Sequence, residues 1–280
     1  MRLTEPHLAP TAPELIWFGG ADAIRFLNDL ISQEIGDLEP GSVRRSLLLT
    51  PQGKLDHIIW VLRGADEIGL VVDAGRGEDL VAKLGRYRIR VDVEIESSSR
   101  DRWLVVGPFG PDAGRWTGDR SNLEADVSWS NVHRALVVGE KPDLPLLDAQ
   151  SYEVLRIEAG EPLMGVDVTD ATIPQETDLV GETISFEKGC FLGQELVARL
   201  DTRGGRVNHH LRILRFEGPA PEAGIGVTKD GAEVGVLSSA AKGVGLALLR
   251  RGVDPGEVVT VGDGRALVEA VPQGGSGSTM

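Results

Sequence analysis

Cysteine is almost missing from this chain of 280 residues: Cys190 is the only one. A single thiol closes no internal disulfide, so the fold is not a stapled secreted scaffold. The five histidines, His7, His57, His133, His209 and His210, show no His-x-x-x-His spacing, and Cys-x-x-Cys cannot occur. The common sequence-local zinc and iron–sulfur motifs are therefore excluded, and no built-in metal site is expected. No apolar run approaches the roughly 20 residues that span a bilayer. The first residues also lack the apolar stretch and cleavage site of a secretory signal. A cytoplasmic protein away from membranes is the expectation. Positive charge is short as well, with 29 Lys and Arg against 43 Asp and Glu, a net charge of −14. Polyanions are held mainly by neutralising their phosphates, so direct nucleic-acid binding is not expected. The most basic short stretch, Arg86-Tyr87-Arg88-Ile89-Arg90, alternates charged and bulkier residues and reads as part of a strand over 87–95 with a charged face.

What is present is enough for more than one core, since 280 residues exceed what a single core usually serves. Leu15-Ile16-Trp17-Phe18 reads as a strand. Asp22 then stands where it can cap a helix whose apolar positions 23, 26, 27 and 30 share one face. Two β-rich runs, 46–50 and 55–62, flank Pro51-Gln52-Gly53 and predict a hairpin. A strand at 68–72 and a helix at 77–84 follow. A second unit has strands at 103–106 and 135–138 and a helix at 151–160, then extended chain over 163–174. Paired strands with crossing helices imply α+β rather than a doubly wound sheet. After Gly204-Gly205, short β-rich runs divided by glycine and proline predict a small barrel. The expected division is 1–98 and 99–206 as two α+β units, 207–272 as the barrel and 273–280 as a flexible tail.

Around the cysteine, Ile184-Ser185-Phe186 reads as strand and Glu187-Lys188-Gly189 as a turn in which Gly189 is free to take positive φ. Leu192, Leu196, Val197 and Leu200 predict the apolar stripe of a helix opening at Cys190, with Glu195 and Arg199 paired at i, i+4. Two readings of Cys190 stand together. One is a small buried hydrophobe. The other is a thiol activated by the helix dipole and by Lys188, with His57 a candidate base in space.

Lys188-Gly189-Cys190-Phe191-Leu192-Gly193-Gln194-Glu195, followed by Val197-Ala198-Arg199, resembles the signature of the YgfZ family, folate-binding relatives of the glycine-cleavage T-protein. The likeness continues through Leu155-Arg156-Ile157-Glu158-Ala159-Gly160-Glu161-Pro162, Gly165-Val166-Asp167, Ile173-Pro174-Gln175-Glu176, Phe26-Leu27-Asn28-Asp29 and Leu49-Thr50-Pro51-Gln52-Gly53-Lys54. It implies two interleaved α+β units and a carboxy-terminal β-barrel around a hole that takes tetrahydrofolate or a one-carbon derivative. It also implies a task, the folate-dependent assembly or repair of [4Fe–4S] clusters on client enzymes, touching tRNA modification through them. The implied partners are those clients or assembly proteins.

The resemblance gives Cys190 the role of functional thiol. Glu176 is set against the pterin ring, where a carboxylate can accept two parallel hydrogen bonds; the plain reading is a surface glutamate. Asp56 is a folate contact or simply an exposed aspartate. It precedes His57 where T-proteins have a second aspartate, which counts against aminomethyl transfer. Lys188, Gln194, Glu195, Arg199 and Arg203 complete the implied folate set, the arginines by matching the carboxylates of the glutamyl tail. The alternative functions are a folate-dependent aminomethyltransferase and a thiol catalyst without folate.

Overall fold

The chain crosses between two sheets before its first helix. In the computed structural model, which describes residues 2–202 and 204–272, β1 (His7–Leu8) pairs with a strand a hundred residues later. The next strand, β2 (Glu14–Gly19), belongs to a different sheet. There follow α1 (Ala23–Leu30), β3 (Val43–Leu49), β4 (Leu55–Arg63), β5 (Ile68–Val72), α2 (Gly77–Gly85) and β6 (Glu94–Ser97). Strands β7 (Arg102–Val106), β8 (Trp116–Asp119), β9 (Asn122–Asp126) and β10 (Arg134–Val138) precede α3 (Ala149–Glu158), α4 (Val180–Thr183) and α5 (Gln194–Thr202). The last part holds β11 (His209–Phe216), β12 (Gly226–Lys229), β13 (Ala232–Ala241), β14 (Val244–Arg250), β15 (Val258–Val261) and β16 (Gly264–Ala270).

One five-stranded sheet runs β3-β4-β5-β2-β6, another β1-β7-β10-β9-β8, and β11-β14-β13-β12-β15-β16 closes into a barrel. Strand β4 shows why the layers stack, because it is apolar on both faces. Ile58, Trp60 and Leu62 enter a core shared with Leu104, Val106, Leu136 and Val138 of the second sheet. Ile59 and Val61 face Phe26 and Leu27 of α1 and Leu80 and Leu84 of α2. Helix α3 carries Val154 and Ile157 onto Leu211, Ile213 and Leu246 of the barrel. The architecture is the expected α+β arrangement with a carboxy-terminal barrel.

Four local expectations are corrected. Residues 86–90 form a turn, and only Glu94–Ser97 pairs with β2. The backbone hydrogens of Arg86, Tyr87 and Arg88 are taken by the end of α2, Tyr87 N donating to Leu84 O at 3.0 Å. Residues 184–186 are irregular, because Ser185 N donates to Ser32 O (3.0 Å) in the loop after α1 instead of joining a sheet. The helix near Cys190 begins four residues later, at Gln194. Gly193, at φ +79°, breaks the chain direction just before it. Asp22 does not cap α1 through its side chain; its carboxylate takes the Asp92 amide and the Arg25 guanidinium. The hairpin β8–β9 was not legible at all in the polar stretch it occupies. The predicted tail, 273–280, lies outside the described residues.

Candidate functional site

Cys190 is exposed, which removes the reading as packing filler. Its neighbours on both sides are buried: Lys188 and Phe191 are 9% and 6% exposed. The Lys188 ammonium donates to three backbone carbonyls around the end of α1, those of Asn28 (2.6 Å), Ile31 (2.9 Å) and Gln33 (3.0 Å). All three of its N–H donors are thus used. Burial lowers its pKa to about 8, against the opposing pull of Glu34 and Asp29. Phe191 enters the core beside Ile184 and Val197, with the Lys188 ammonium 5.6 Å from its ring centre. Two anchors therefore hold the segment, and Gly189 and Cys190 project between them.

The anchoring extends on both sides. Ser32 Oγ donates to Thr183 O (2.6 Å) and Gln33 Nε2 to Glu182 O (3.0 Å). Downstream, Gly193 packs on the turn joining β3 to β4. A Cβ there would collide with the Thr50 carbonyl, and one on Gly53 would lie 2.8 Å from Gly193 O. Gly189, by contrast, has ordinary negative φ and open space where a Cβ would stand, so the turn does not need a glycine there. Gln194 opens α5, and Glu195 and Arg199 are exposed on it. No ion pair joins Glu195 to Arg199 among the described residues. Pro51, Gln52, Glu195, Leu196 and Arg199 line a shallow hollow there. Arg203 lies outside the described residues.

Asp56 and His57 are together for a reason of register. Leu48 stands opposite His57 and Leu49 opposite Leu55, so Asp56 is the extra residue of a β-bulge. Both side chains meet α2: Asp56 Oδ1 is 2.6 Å from Lys83 Nζ and 2.8 Å from His57 Nδ1, and Lys83 also reaches Asp79 at 2.9 Å. Burial works to raise the Asp56 pKa, and its contacts with His57 and Lys83 outweigh it, leaving the carboxyl below its ordinary value. Asp56, His57 and Asp79 are close enough to hold a metal ion, but the Lys83 ammonium already places a positive charge between the two carboxylates. His57, fully buried here, makes no hydrogen bond to Cys190. Glu176 ends the 3-10 turn Pro174–Glu176, which follows α3 in the chain and packs against α5 and β11. One of its oxygens accepts from Ile173 N and the other lies 3.1 Å from His209 Nδ1.

A separate cavity is lined by none of these residues. That cavity, of about 350 Å3, opens between the two sheets and α3. Trp60, Val71, Leu104, Val127 and Leu163 form apolar walls, and Asp73, Arg134, Tyr152, Arg156 and Glu161 bring polar groups. Arg134 grips Glu161 with both terminal nitrogens, one at 2.8 Å, and both residues are buried. Arg156 binds Asp167 (2.8 Å), Glu153 (3.0 Å) and Ser239 Oγ (2.6 Å) of β13. Asp167 also accepts from Ser238 Oγ, so the cavity wall and the barrel share one polar network. Asp73 differs from the others. No donor reaches its carboxyl among the described residues, and burial, reinforced by Glu161, raises its pKa to about 7. Burial likewise lifts the Tyr152 phenol to about 12. The sequence reading missed this set, whose members come from separate elements. The available signal was charge in apolar company: Arg134 opens the strand Ala135-Leu136-Val137-Val138, and Arg156 lies between Leu155 and Ile157.

The family model for the CAF17 C-terminal β-barrel domain matches residues 210–272, the barrel. The human mitochondrial iron–sulfur cluster assembly factor IBA57 is 30% identical over 261 residues, 82% of this chain and 73% of that one. The tRNA-modifying protein YgfZ of an Enterobacter strain is 24% identical over 237 residues, covering 75% and 72%. An aminomethyltransferase of Frankia alni is 28% identical over 283 residues, covering 86% and 77%. The glycine cleavage system aminomethyltransferase T of Bartonella henselae superposes with a TM-score of 0.80 over 96% of this chain and 86% of its own, at 18% identity, and so shares the fold. On the identity to the human protein, this chain belongs to the family of YgfZ and the iron–sulfur cluster assembly factor IBA57, built on the aminomethyltransferase T fold.

Proposed function

We propose that this protein is a folate-dependent accessory factor for the assembly or repair of [4Fe–4S] clusters in client enzymes, acting in the cytoplasm and reaching tRNA modification only through its clients. The observation that carries the reading is Cys190, an exposed thiol held in a fixed place by the buried Lys188 and Phe191. A lone exposed thiol cannot complete a cluster by itself. Any iron–sulfur contact is shared with a client or an assembly protein, which supplies the remaining ligands.

The cavity fits tetrahydrofolate or a one-carbon derivative of it. Its volume lies in the range of small-molecule sites. Trp60 and the aliphatic walls suit a flat ring, and the free Asp73 carboxyl offers an acceptor to a ring bearing N–H donors. Trp60, Asp73 and Tyr152 would hold the ring, while Arg134 and Glu161, paired to one another, shape the wall. When bound, the folate supplies a carrier for a one-carbon unit. The resemblance also points to folate roles for Glu176, Asp56, Lys188, Gln194, Glu195, Arg199 and Arg203. Lys188, Asp56 and Glu176 already have partners in the frame and act as positioning residues. Gln194, Glu195 and Arg199 remain open to a ligand's polar tail.

Aminomethyl transfer is the competing function, favoured by the Frankia relative. Against it, Asp56 is committed to Lys83 and His57 and does not line the cavity. The deciding experiment complements cells lacking this protein with wild type or Cys190→Ala and reads the activity of [4Fe–4S] enzymes, with tetrahydrofolate binding followed by calorimetry. Activity restored by wild type alone, with folate bound by both, is the expected result. Full complementation by Cys190→Ala removes the thiol role, and absence of binding removes folate. Aminomethyl transfer by the purified chain would establish the alternative.

A further inference from the structure

The basic stretch Arg86-Tyr87-Arg88-Ile89-Arg90 has no part in the thiol segment or the cavity, and the structure gives it a shape that the sequence did not suggest. Its backbone extends the end of α2 as a tied turn. Arg86 N donates to Lys83 O (3.3 Å), Arg88 N to Gly85 O (3.2 Å) and Ile89 N to Tyr87 O (2.8 Å). Arg90 takes left-handed φ at 56°, which costs a non-glycine residue energy and marks an over-determined backbone. Beyond it, Val91 and Val93 pack into the core beneath α1 and α2, so the loop is pinned at both ends.

All five side chains are nevertheless exposed. Ile89, at 71%, is the most exposed large hydrophobic residue among those described, and Tyr87 is at 38%. Arg86, Arg88 and Arg90 form no ion pair among the described residues, in a chain whose net charge is −14. Among the described residues, no ion pair links the two glutamates beside Arg88 to it. Glu94 and Glu96 share a surface hollow with Arg88, and Glu96 is bound to Arg120 at 2.8 Å. Three unpaired guanidiniums around an aliphatic tip and a tyrosine make the composition of an interface anchor, presented on a backbone already ordered.

We propose that residues 86–90 dock an acidic segment of a protein partner, with Ile89 entering an apolar pocket and the arginines bonding the flanking carboxylates. Charge complementarity selects an acidic occupant. A protein is favoured over nucleic acid for two reasons. The rest of this acidic chain repels a long polyanion, and an isoleucine at the crown gains nothing against a phosphate backbone. The inference is independent of the folate and thiol readings.

The test uses the full chain, the variant Ile89→Asp and the triple variant Arg86→Glu, Arg88→Glu, Arg90→Glu. The probe is a short fluorescent peptide of aspartate and glutamate interleaved with leucine; a lysine–leucine peptide and poly-uridylate RNA serve as controls. The expected result is anisotropy binding of the acidic peptide by wild type. Binding should weaken by about ten-fold in Ile89→Asp and by more in the triple variant, and fall with added salt. A photo-cross-linking residue in place of Ile89 should capture in cells a protein whose cross-linked segment is acidic. Reversing that segment's charge should restore capture by the triple variant. Equal binding by wild type and variants, tighter binding of RNA than of the acidic peptide, or cross-linking to a second copy of this chain would overturn the proposal. Unchanged thermal unfolding and circular dichroism in both variants establish that the fold is intact.

Discussion

Replacing Asp73 by Asn should make the protein more stable at neutral and alkaline pH while impairing it. Asp73 ionises near its ordinary 3.8 in the unfolded chain, whereas in the fold burial and the Glu161 carboxylate raise it to about 7. Between those values the folded state holds the extra proton, so stability falls as pH rises through the window and the full penalty stands above pH 7. At about 1.4 kcal/mol per pH unit the difference sets a ceiling of about 4 kcal/mol. The carboxyl is partly open to the cavity, and solvent screening brings that to roughly 2 kcal/mol. Asn keeps the shape and never charges. Urea denaturation of wild type and Asp73→Asn should therefore show the variant ahead by about 2 kcal/mol at pH 8 and by less than about 1 kcal/mol at pH 5. Other titrating groups cancel in that difference. A gap that does not change with pH, or a variant less stable at pH 8, would refute the reasoning. Tetrahydrofolate affinity should move the opposite way, weakening by about ten-fold as an ionised acceptor is lost. Function is then what keeps the unfavourable carboxylate in place.

Lys188→Ala removes three ammonium bonds to buried or half-buried carbonyls and should cost about 2–4 kcal/mol in urea denaturation. Lys188→Arg should not rescue it, because a planar guanidinium cannot serve three converging carbonyls in the same way. Gly193→Ala should cost upwards of about 2 kcal/mol through its positive φ and the Thr50 carbonyl, whereas Gly189→Ala should stay within about 0.5 kcal/mol by the same measurement. Arg134→Met strands the buried Glu161 carboxylate and should destabilise by about 3–5 kcal/mol, with Arg134→Met/Glu161→Leu recovering most of the loss. Cys190→Ala should leave thermal unfolding unchanged, since the thiol is exposed.

Strong local periodicity made part of the fold legible. Helix α1 has one apolar face, and the strands around Pro51-Gln52-Gly53 have a turn that admits only one connection. The stretch 87–95 misled because its alternation imitates a strand, yet its pairing with β2 starts only at Glu94. The helix start at Cys190 misled because leucine spacing marks a face and not an end. The end is set by Gly193 against Thr50, a contact across more than a hundred residues. The thiol segment was visible as a contiguous motif. The cavity was not, since Trp60, Asp73, Arg134, Tyr152 and Glu161 converge only when two sheets and a helix have closed. The place of Asp56 depended on a bulge, which shifts a side chain by register and leaves no mark in composition.

The strand β1 carries one further consequence, for the order in which the chain can be finished. Its partners are Val105 and Val106, and Leu8 also bridges to Leu146. A chain emerging amino terminus first can complete the sheet ending at Ser97 while residues 7 and 8 still wait for their neighbours. Native closure of the leading segment is therefore delayed until β7 and Leu146 have left the ribosome. During that interval the edge of the second sheet that will receive β1 is open to other strands, and an early chaperone contact at the amino terminus would guard both ends of the delay.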